Sequence, residues 1–264
     1  MEQTKAAIGP ISGNILFYTT PEPLSKDMHS GLGVQRMEKP FGFAAKGHVV
    51  PLTVAEFTFA SICYPIIFAG AENMPLAVMG INSEENLFIN DDASFVSGGY
   101  VPAYIRRYPF VLAADEAQQR MVVCIERTAD IFTEKKKADL PLFDDAGEPS
   151  EYTQNAIKFC EDFEGERRRT DAFVKLLKDH DLFEQRESIF NMPKDDGTFE
   201  PVKLAEYFAV SEAKLNALSP EVLAQMRDNG ALEKIYNHLT SLAGWDRLVA
   251  IASERAIKRS QAAA

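Results

Sequence analysis

The run GHVVPLTVAEFTFASICYPIIFAGA, from Gly47 to Ala71, decides what kind of protein this is. Glu56 is its one formally charged side chain, and some 20 weakly charged residues is the length a bilayer span needs. Three features turn the run away from lipid. Pro65 removes a helix hydrogen bond and clashes one turn back, which cuts the run into two short pieces. Thr53-Val54-Ala55-Glu56 has the T-x-x-E spacing of a capping box, in which Thr53 and Glu56 satisfy the bare amides of a helix start. No second apolar stretch exists to partner the first. The run therefore reads as a helix from Thr53 to about Cys63, then a buried strand Ile66-Ile67-Phe68-Ala69.

Working outward, Phe41-Gly42-Phe43-Ala44 is expected to form a short first strand. Beyond the run, Leu76-Ala77-Val78-Met79-Gly80-Ile81 and Leu87-Phe88-Ile89 read as strands separated by turn residues. Tyr104 to Ala113 and Met121 to Glu126 supply further strands. The gaps are too short for parallel crossovers, so antiparallel pairing is expected. Past the polar stretch Glu134 to Ser150 the period becomes helical. Ala156, Phe159, Cys160 and Phe163 recur at three and four, as do Phe173, Leu176 and Leu177. Ser219-Pro220-Glu221 marks a helix start and Asn229-Gly230 its stop. Leu232, Ile235, Leu239 and Leu242 make one stripe of a last long helix ending near Lys258-Arg259, where positive charge suits the carbonyl end.

The fold class expected is α+β: a β-rich antiparallel N-terminal half with a capped helix, then a mostly α-helical C-terminal half. Its divisions are an extended arm over 1–35, rich in Gly, Pro, Ser and Thr, an α+β sheet region over 36–133, and a connecting segment over 134–150. A helical region over 151–264 packs on the sheet, compatible with one continuous domain.

Composition narrows the function classes. The 264 residues are 46% hydrophobic and 25% charged, ordinary for a globular chain. With 28 Lys+Arg against 39 Asp+Glu, the net charge of −11 argues against broad binding to nucleic acid or anionic membrane. Cys63, Cys124 and Cys160 are widely spaced and odd in number, which suits reduced thiols better than a disulfide framework. Met1 to Gly13 carries one lysine and no apolar run before a cleavage site, so no secretory signal is expected and the placement expected is cytoplasmic.

Most catalytic motifs are missing. There is no phosphate loop and no G-x-S-x-G elbow. Gly31-Leu32-Gly33-Val34-Gln35-Arg36 has Arg where a dinucleotide fingerprint needs its third glycine. His29, His48, His180 and His238 are scattered, none at zinc spacing from another, so no metal and no cofactor are expected. A site assembled by folding stays open. His48, near Glu56, offers a conceivable acid–base pair, against the simpler reading of a loop histidine beside a capping glutamate. Cys63 and Cys124 sit in apolar strings and read as small buried hydrophobes.

One segment stands out. Tyr100-Val101-Pro102-Ala103-Tyr104-Ile105-Arg106-Arg107-Tyr108-Pro109-Phe110 packs four aromatics and two adjacent arginines into an acidic chain. If Tyr104 to Tyr108 is extended, Arg106 and Arg107 point to opposite faces of a sheet. A guanidinium fork suits a carboxylate or phosphate, with Tyr104 and Tyr108 placed to stack on it. The alternative is an internal ion pair with Glu84, Glu85 or Asp91.

These residues carry a family resemblance. Phe41-Gly42-Phe43-Ala44, Val50-Pro51-Leu52 with Glu56-Phe57, Tyr64-Pro65-Ile66-Ile67-Phe68, Asn86-Leu87-Phe88 and the Tyr100–Phe110 segment resemble the bacterial SapC family. Leu142-Phe143, Gly147-Glu148-Pro149-Ser150 and Ile235-Tyr236-Asn237-His238-Leu239-Thr240-Ser241-Leu242 with Trp245 extend the likeness from about His29 to Leu248. The resemblance implies a link to surface-layer biology, peptide transport or antimicrobial-peptide resistance. It also implies genomic company with outer-membrane uptake receptors, tryptophan-halogenase-like enzymes and cupin-like hydroxylases. It brings no established catalytic residues, and the permease label fits poorly with a single interrupted apolar run.

The function expected is a non-enzymatic, soluble component that binds a protein or peptide partner, with Arg106, Arg107, Tyr104 and Tyr108 as the contacts. The alternatives are an enzyme on a small acidic or peptide substrate, with an arginine clamp and His48 or Glu56 as acid–base, and a membrane-attached component. Neither nucleic acid nor a membrane span is expected among its partners.

Overall fold

A computed structural model describes residues 15–115, 120–193 and 199–263. In chain order its elements are β1 (Pro21–Pro23), α1 (Lys26–His29), β2 (Leu32–Val34), β3 (Val49–Pro51), α2 (Phe57–Ala60), β4 (Ile66–Ala69) and β5 (Met74–Val78). Then come α3 (Ala103–Arg106), β6 (Phe110–Asp115), β7 (Arg120–Glu126), β8 (Phe132–Glu134), β9 (Leu140–Pro141) and α4 (Glu151–Asp179). The chain closes with β10 (Phe183–Pro193), β11 (Phe199–Val210), α5 (Glu212–Asn216), α6 (Pro220–Asp228), α7 (Ala231–Ser241) and α8 (Gly244–Ala263). The fold is α+β, and every strand pair is antiparallel.

The chain divides into two compact units, neither of them a continuous stretch. The first comprises the described residues up to Phe43 together with Ile105–Gly165. It holds two small sheets, ordered β1-β7-β6 and β8-β2-β9. Phe110, Ile125, Leu142 and Phe143 are buried together with Cys160 from α4. Of the expected arm over 1–35, residues 1–14 lie outside the described ones. Pro21–Pro23 pairs with β7, with Glu22 opposite Ile125.

The second unit, Ala44–Tyr104 with Glu166–Ala264, is built on a sheet ordered β10-β11-β4-β5-β3. Its core includes the fully buried Tyr64, Phe57, Phe68, Phe88 and Ile66. Much of the apolar run that decided the fold thus lies inside a protein core, while Phe59 and Ile62 are exposed. No described helix is long and apolar enough to cross a membrane.

Several local expectations need correction. Gly42–Ala44 is a helical turn, not a strand: Gly42 N–H bonds Lys39 O, and the Phe43 ring lies against Phe17 and Tyr108. Thr53 and Glu56 do form a capping box, but α2 ends at Ala60 and the chain turns before Pro65. Leu87–Ile89 forms no strand because side chains take the place of a ladder. The Arg255 guanidinium donates to the carbonyls of Asn86, Leu87 and Ile89, and Asn86 Oδ1 accepts from Phe88 N–H.

Tyr104–Tyr108 is not extended, since Ala103–Arg106 is helical and the strand starts only at Phe110. The two helical stripes after Ser150 belong to one 29-residue helix, α4. Ser219 caps α6 as expected, accepting from Val222 N–H. The last helix is instead broken into α7 and α8. At the break a Cβ on Gly244 would meet Pro65 Cδ at 3.3 Å, so a side chain there would crowd Pro65. The helical second half also contains a long hairpin, β10–β11, with a bulge between Ser188 and Ile189.

Candidate functional site

In the first unit the arginines stand on aromatic rings. The Arg106 guanidinium carbon lies 5.2 Å from the Phe159 ring centre, and that of Arg107 lies 4.7 Å from Phe163 and 5.8 Å from Tyr18. Phe159 and Phe163 are four apart on α4, so one helix face supplies both rings. These stacking aromatics come from distant sequence. Arg106 is exposed and Arg107 half-buried. Tyr108 turns instead to Phe43, ring centres 3.8 Å apart and stacked, and to Tyr18 at 5.4 Å. Burial, then the negative charges of Glu126 and Asp130, push the Tyr108 phenol up to about 12.

Beneath these lies a buried carboxylate. Glu126 is 1% exposed and accepts from the amides and hydroxyls of Thr19, Thr20 and Thr128, at 2.7 Å from Thr19 N and 2.9 Å from Thr20 N. Burial alone would raise its pKa. The bonds from Thr128, Thr20 and Thr19 outweigh that and hold the carboxyl down at about 2. No sequence motif marks this cluster, since Thr19 and Thr20 lie 107 and 106 residues from Glu126.

The remaining candidates lie in the second unit. Glu56, 5% exposed, receives Thr53 N–H and Thr53 Oγ1–H on one oxygen, both at 2.8 Å. Its other oxygen receives Tyr100 O–H at 3.0 Å and Ala103 N–H at 2.6 Å. This last bond caps the start of α3 and explains why the segment turns helical there. Tyr64 O–H donates to Tyr100 O, and Tyr100 N–H reaches Cys63 Sγ at 3.4 Å. Tyr104 is buried. His48 is half-buried and its carbonyl accepts from Met79 and Gly80 N–H. Among the described residues no hydrogen bond joins His48 to Glu56. Of the acids offered as partners for the arginines, Glu84 meets Lys46 at 3.0 Å and Glu85 meets Arg259 at 2.8 Å.

His238, which reads from sequence as a boundary residue, is fully buried and links two strands. Its Nδ1 lies 2.9 Å from Ile66 O on β4, and its Nε2 accepts Val210 N–H on β11 at 3.0 Å. Those strands pair directly at Phe208 and Phe68, so the imidazole stands in for a rung where they part. Burial, outweighing the bond to Ile66, draws its pKa down to about 4, which keeps the ring neutral. Burial likewise pushes the Cys124 and Cys160 thiols up to about 11, away from nucleophilic use. Among the described residues no group of three or more His, Cys, Asp or Glu could hold a metal ion.

What the geometry defines is an α+β protein with arginine-on-aromatic stacking in its first unit and hydrogen-bonded buried carboxylates in both. The SapC family model matches residues 24–248, and the chain belongs to the SapC family. No curated protein and no solved structure matches it.

Proposed function

We propose that this SapC-family chain is a non-enzymatic, cytoplasmic component that binds an acidic segment of a protein or peptide. The surface-layer, peptide-resistance or nutrient-uptake system associated with the family would supply that partner. The observation that carries the reading is the exposed Arg106 guanidinium over the Phe159 ring, beside Arg107 over Phe163. A ring under a guanidinium restrains it, and a guanidinium fork suits a carboxylate. The second unit supports a non-catalytic role. Both oxygens of Glu56 already accept hydrogen bonds from its own fold, which is the work of a cap rather than of a proton carrier.

The test is fluorescence anisotropy of the full chain with dye-labelled heptapeptides rich in Asp and Glu. Arg106→Ala should weaken binding about tenfold, the loss of one charge-assisted bidentate contact, with an unchanged melting curve. Binding that ignores Arg106→Ala and Arg106→Glu alike, or no binding by the unaltered chain, would overturn the reading.

A further inference from the structure

We infer that Glu85–Ile89 forms a guanidinium socket for an arginine of another protein, and that Arg255 on α8 fills it in cis as a displaceable strap. Three carbonyls converge on the Arg255 guanidinium: Asn86 O at 3.2 Å, Leu87 O at 3.0 Å and Ile89 O at 3.1 Å. The Glu85 carboxylate stands beside them, 3.8 Å from Arg255 Nη1. Carbonyls in an arc next to one anion match the planar fork of N–H donors on a guanidinium better than the point charge of an ammonium.

The socket is built without Arg255. Asn86 N–H donates to Ala45 O and Leu87 N–H to Met79 O, both at 2.7 Å. Asn86 Oδ1 accepts from Phe88 N–H, and Phe88 O, the fourth carbonyl, takes Val96 N–H. Leu87, Phe88 and Ile89 are buried. The backbone is thus fixed from behind, with the other three carbonyls left to face a cation. Glu84, Glu85, Asp91 and Asp92 bracket the segment with no basic residue between them, so its field draws positive charge.

The strap fits this socket incompletely and is loosely held. Glu85 Oε1 is buried and accepts no hydrogen bond among the described residues: Arg259 Nη1 lies 2.8 Å away but out of hydrogen-bonding alignment. Arg255, tied to its helix, spans the carbonyls and stops short of the carboxylate. An arginine on an extended segment approaches free of that tether and can take the carbonyls and Glu85 together, as charge-assisted pairing favours. Beyond Arg255 every residue from Ala256 to Ala262 is exposed, Ile257 to 56%, so lifting these turns uncovers little apolar surface. Socket and strap both lie in the second unit, and neither rests on Arg106.

The experiment titrates the labelled full chain with the capped tripeptide Gly-Arg-Gly and follows amide shifts and amide exchange by NMR. Saturating peptide should shift the amides of Glu85–Asn90 and speed exchange at Ala256–Ser260 by about fivefold or more as the strap lifts. Arg255→Ala empties the socket and should tighten binding about tenfold, because no arginine in cis then competes. Glu85→Gln should weaken binding about tenfold, and capped Gly-Lys-Gly should bind at least about tenfold more weakly than the arginine peptide. The inference is overturned by shifts that miss Glu85–Asn90, or by lysine binding as well as arginine, which is mere charge attraction. Binding without faster exchange in α8 would make Arg255 a fixed rivet and overturn it as well. These arms use the unaltered chain, so they decide the question even where Arg255→Ala fails to fold. Exchange in α8 that changes with chain concentration and no peptide would give the socket to the strap of a second copy and overturn the inference too.

Discussion

Glu126 in the first unit and His238 in the second do the same mechanical job by opposite means. Each is buried, and each stitches main chain that no ladder joins. Glu126 does it as an anion among neutral donors, and His238 as a neutral ring that both gives and accepts. A buried anion survives when enough donors replace its water, whereas a buried imidazole survives by refusing a proton. The two units should therefore answer acid at different pH.

Removing either stitch breaks the comparison most severely. Glu126→Ala leaves the amides of Thr19, Thr20 and Thr128 without their acceptor, and should cost about 3–5 kcal/mol in urea unfolding, as several buried donors left unsatisfied do. His238→Ala orphans Val210 N–H and Ile66 O and opens a cavity beside Phe68, for about 2–4 kcal/mol.

The pH dependence sharpens it. The His238 pKa is near 4 when folded and near 6.5 when free. Between those values the unfolded chain takes up a proton that the folded one refuses. Its stabilising contribution is complete above 6.5 and falls as the pH drops toward 4, by at most about 1.4 kcal/mol per pH unit. Glu126 shifts from 4.5 to about 2, so its contribution is complete above 4.5 and fades only as the pH falls toward 2. Urea titrations at pH 7, 5 and 3 (round settings spanning both windows, about two units apart) should show the first loss. His238→Gln should flatten it while leaving the loss below pH 4.5 (the Glu126 window) in place.

Two smaller effects follow. Tyr100→Phe removes one of the four bonds on Glu56 and should cost about 1 kcal/mol by thermal melt. Arg106→Ala, on an exposed ring contact, should cost only about half a kcal/mol of stability, so a large effect on peptide binding would be functional.

The parts of this molecule that were legible in sequence are those whose physics is local. The Thr53–Glu56 box, the Ser219-Pro220 start and the antiparallel pairs β4–β5 and β6–β7 depend on neighbours a few residues away, and all are present. The breaks came where a distant group overrode the local pattern. Leu87–Ile89 has the look of a strand, but Arg255 takes its carbonyls. Tyr104 to Tyr108 reads as extended, but Ala103–Arg106 is helical with Glu56 at its start. The β10–β11 hairpin was hidden by its own charges: Glu187, Lys203 and Glu206 pair across one face, which makes it read as polar surface. Arg106 and Arg107 were visible as an unusual pair, yet Phe159 and Phe163 were visible only as a helical stripe. Nothing in either string joins the two.

The discontinuous make-up of the units has a consequence for birth on the ribosome. Once Gly165 has emerged, every residue of the first unit is available to close. Ala44–Tyr104 must wait for Glu166–Ala264, and so for the hairpin and α7 that complete its sheet. At about 5–20 residues per second, that delay lasts some seconds to tens of seconds. Through it β3, β4 and β5 are held out as an unfinished apolar sheet, the stage at which a nascent SapC chain most needs a chaperone.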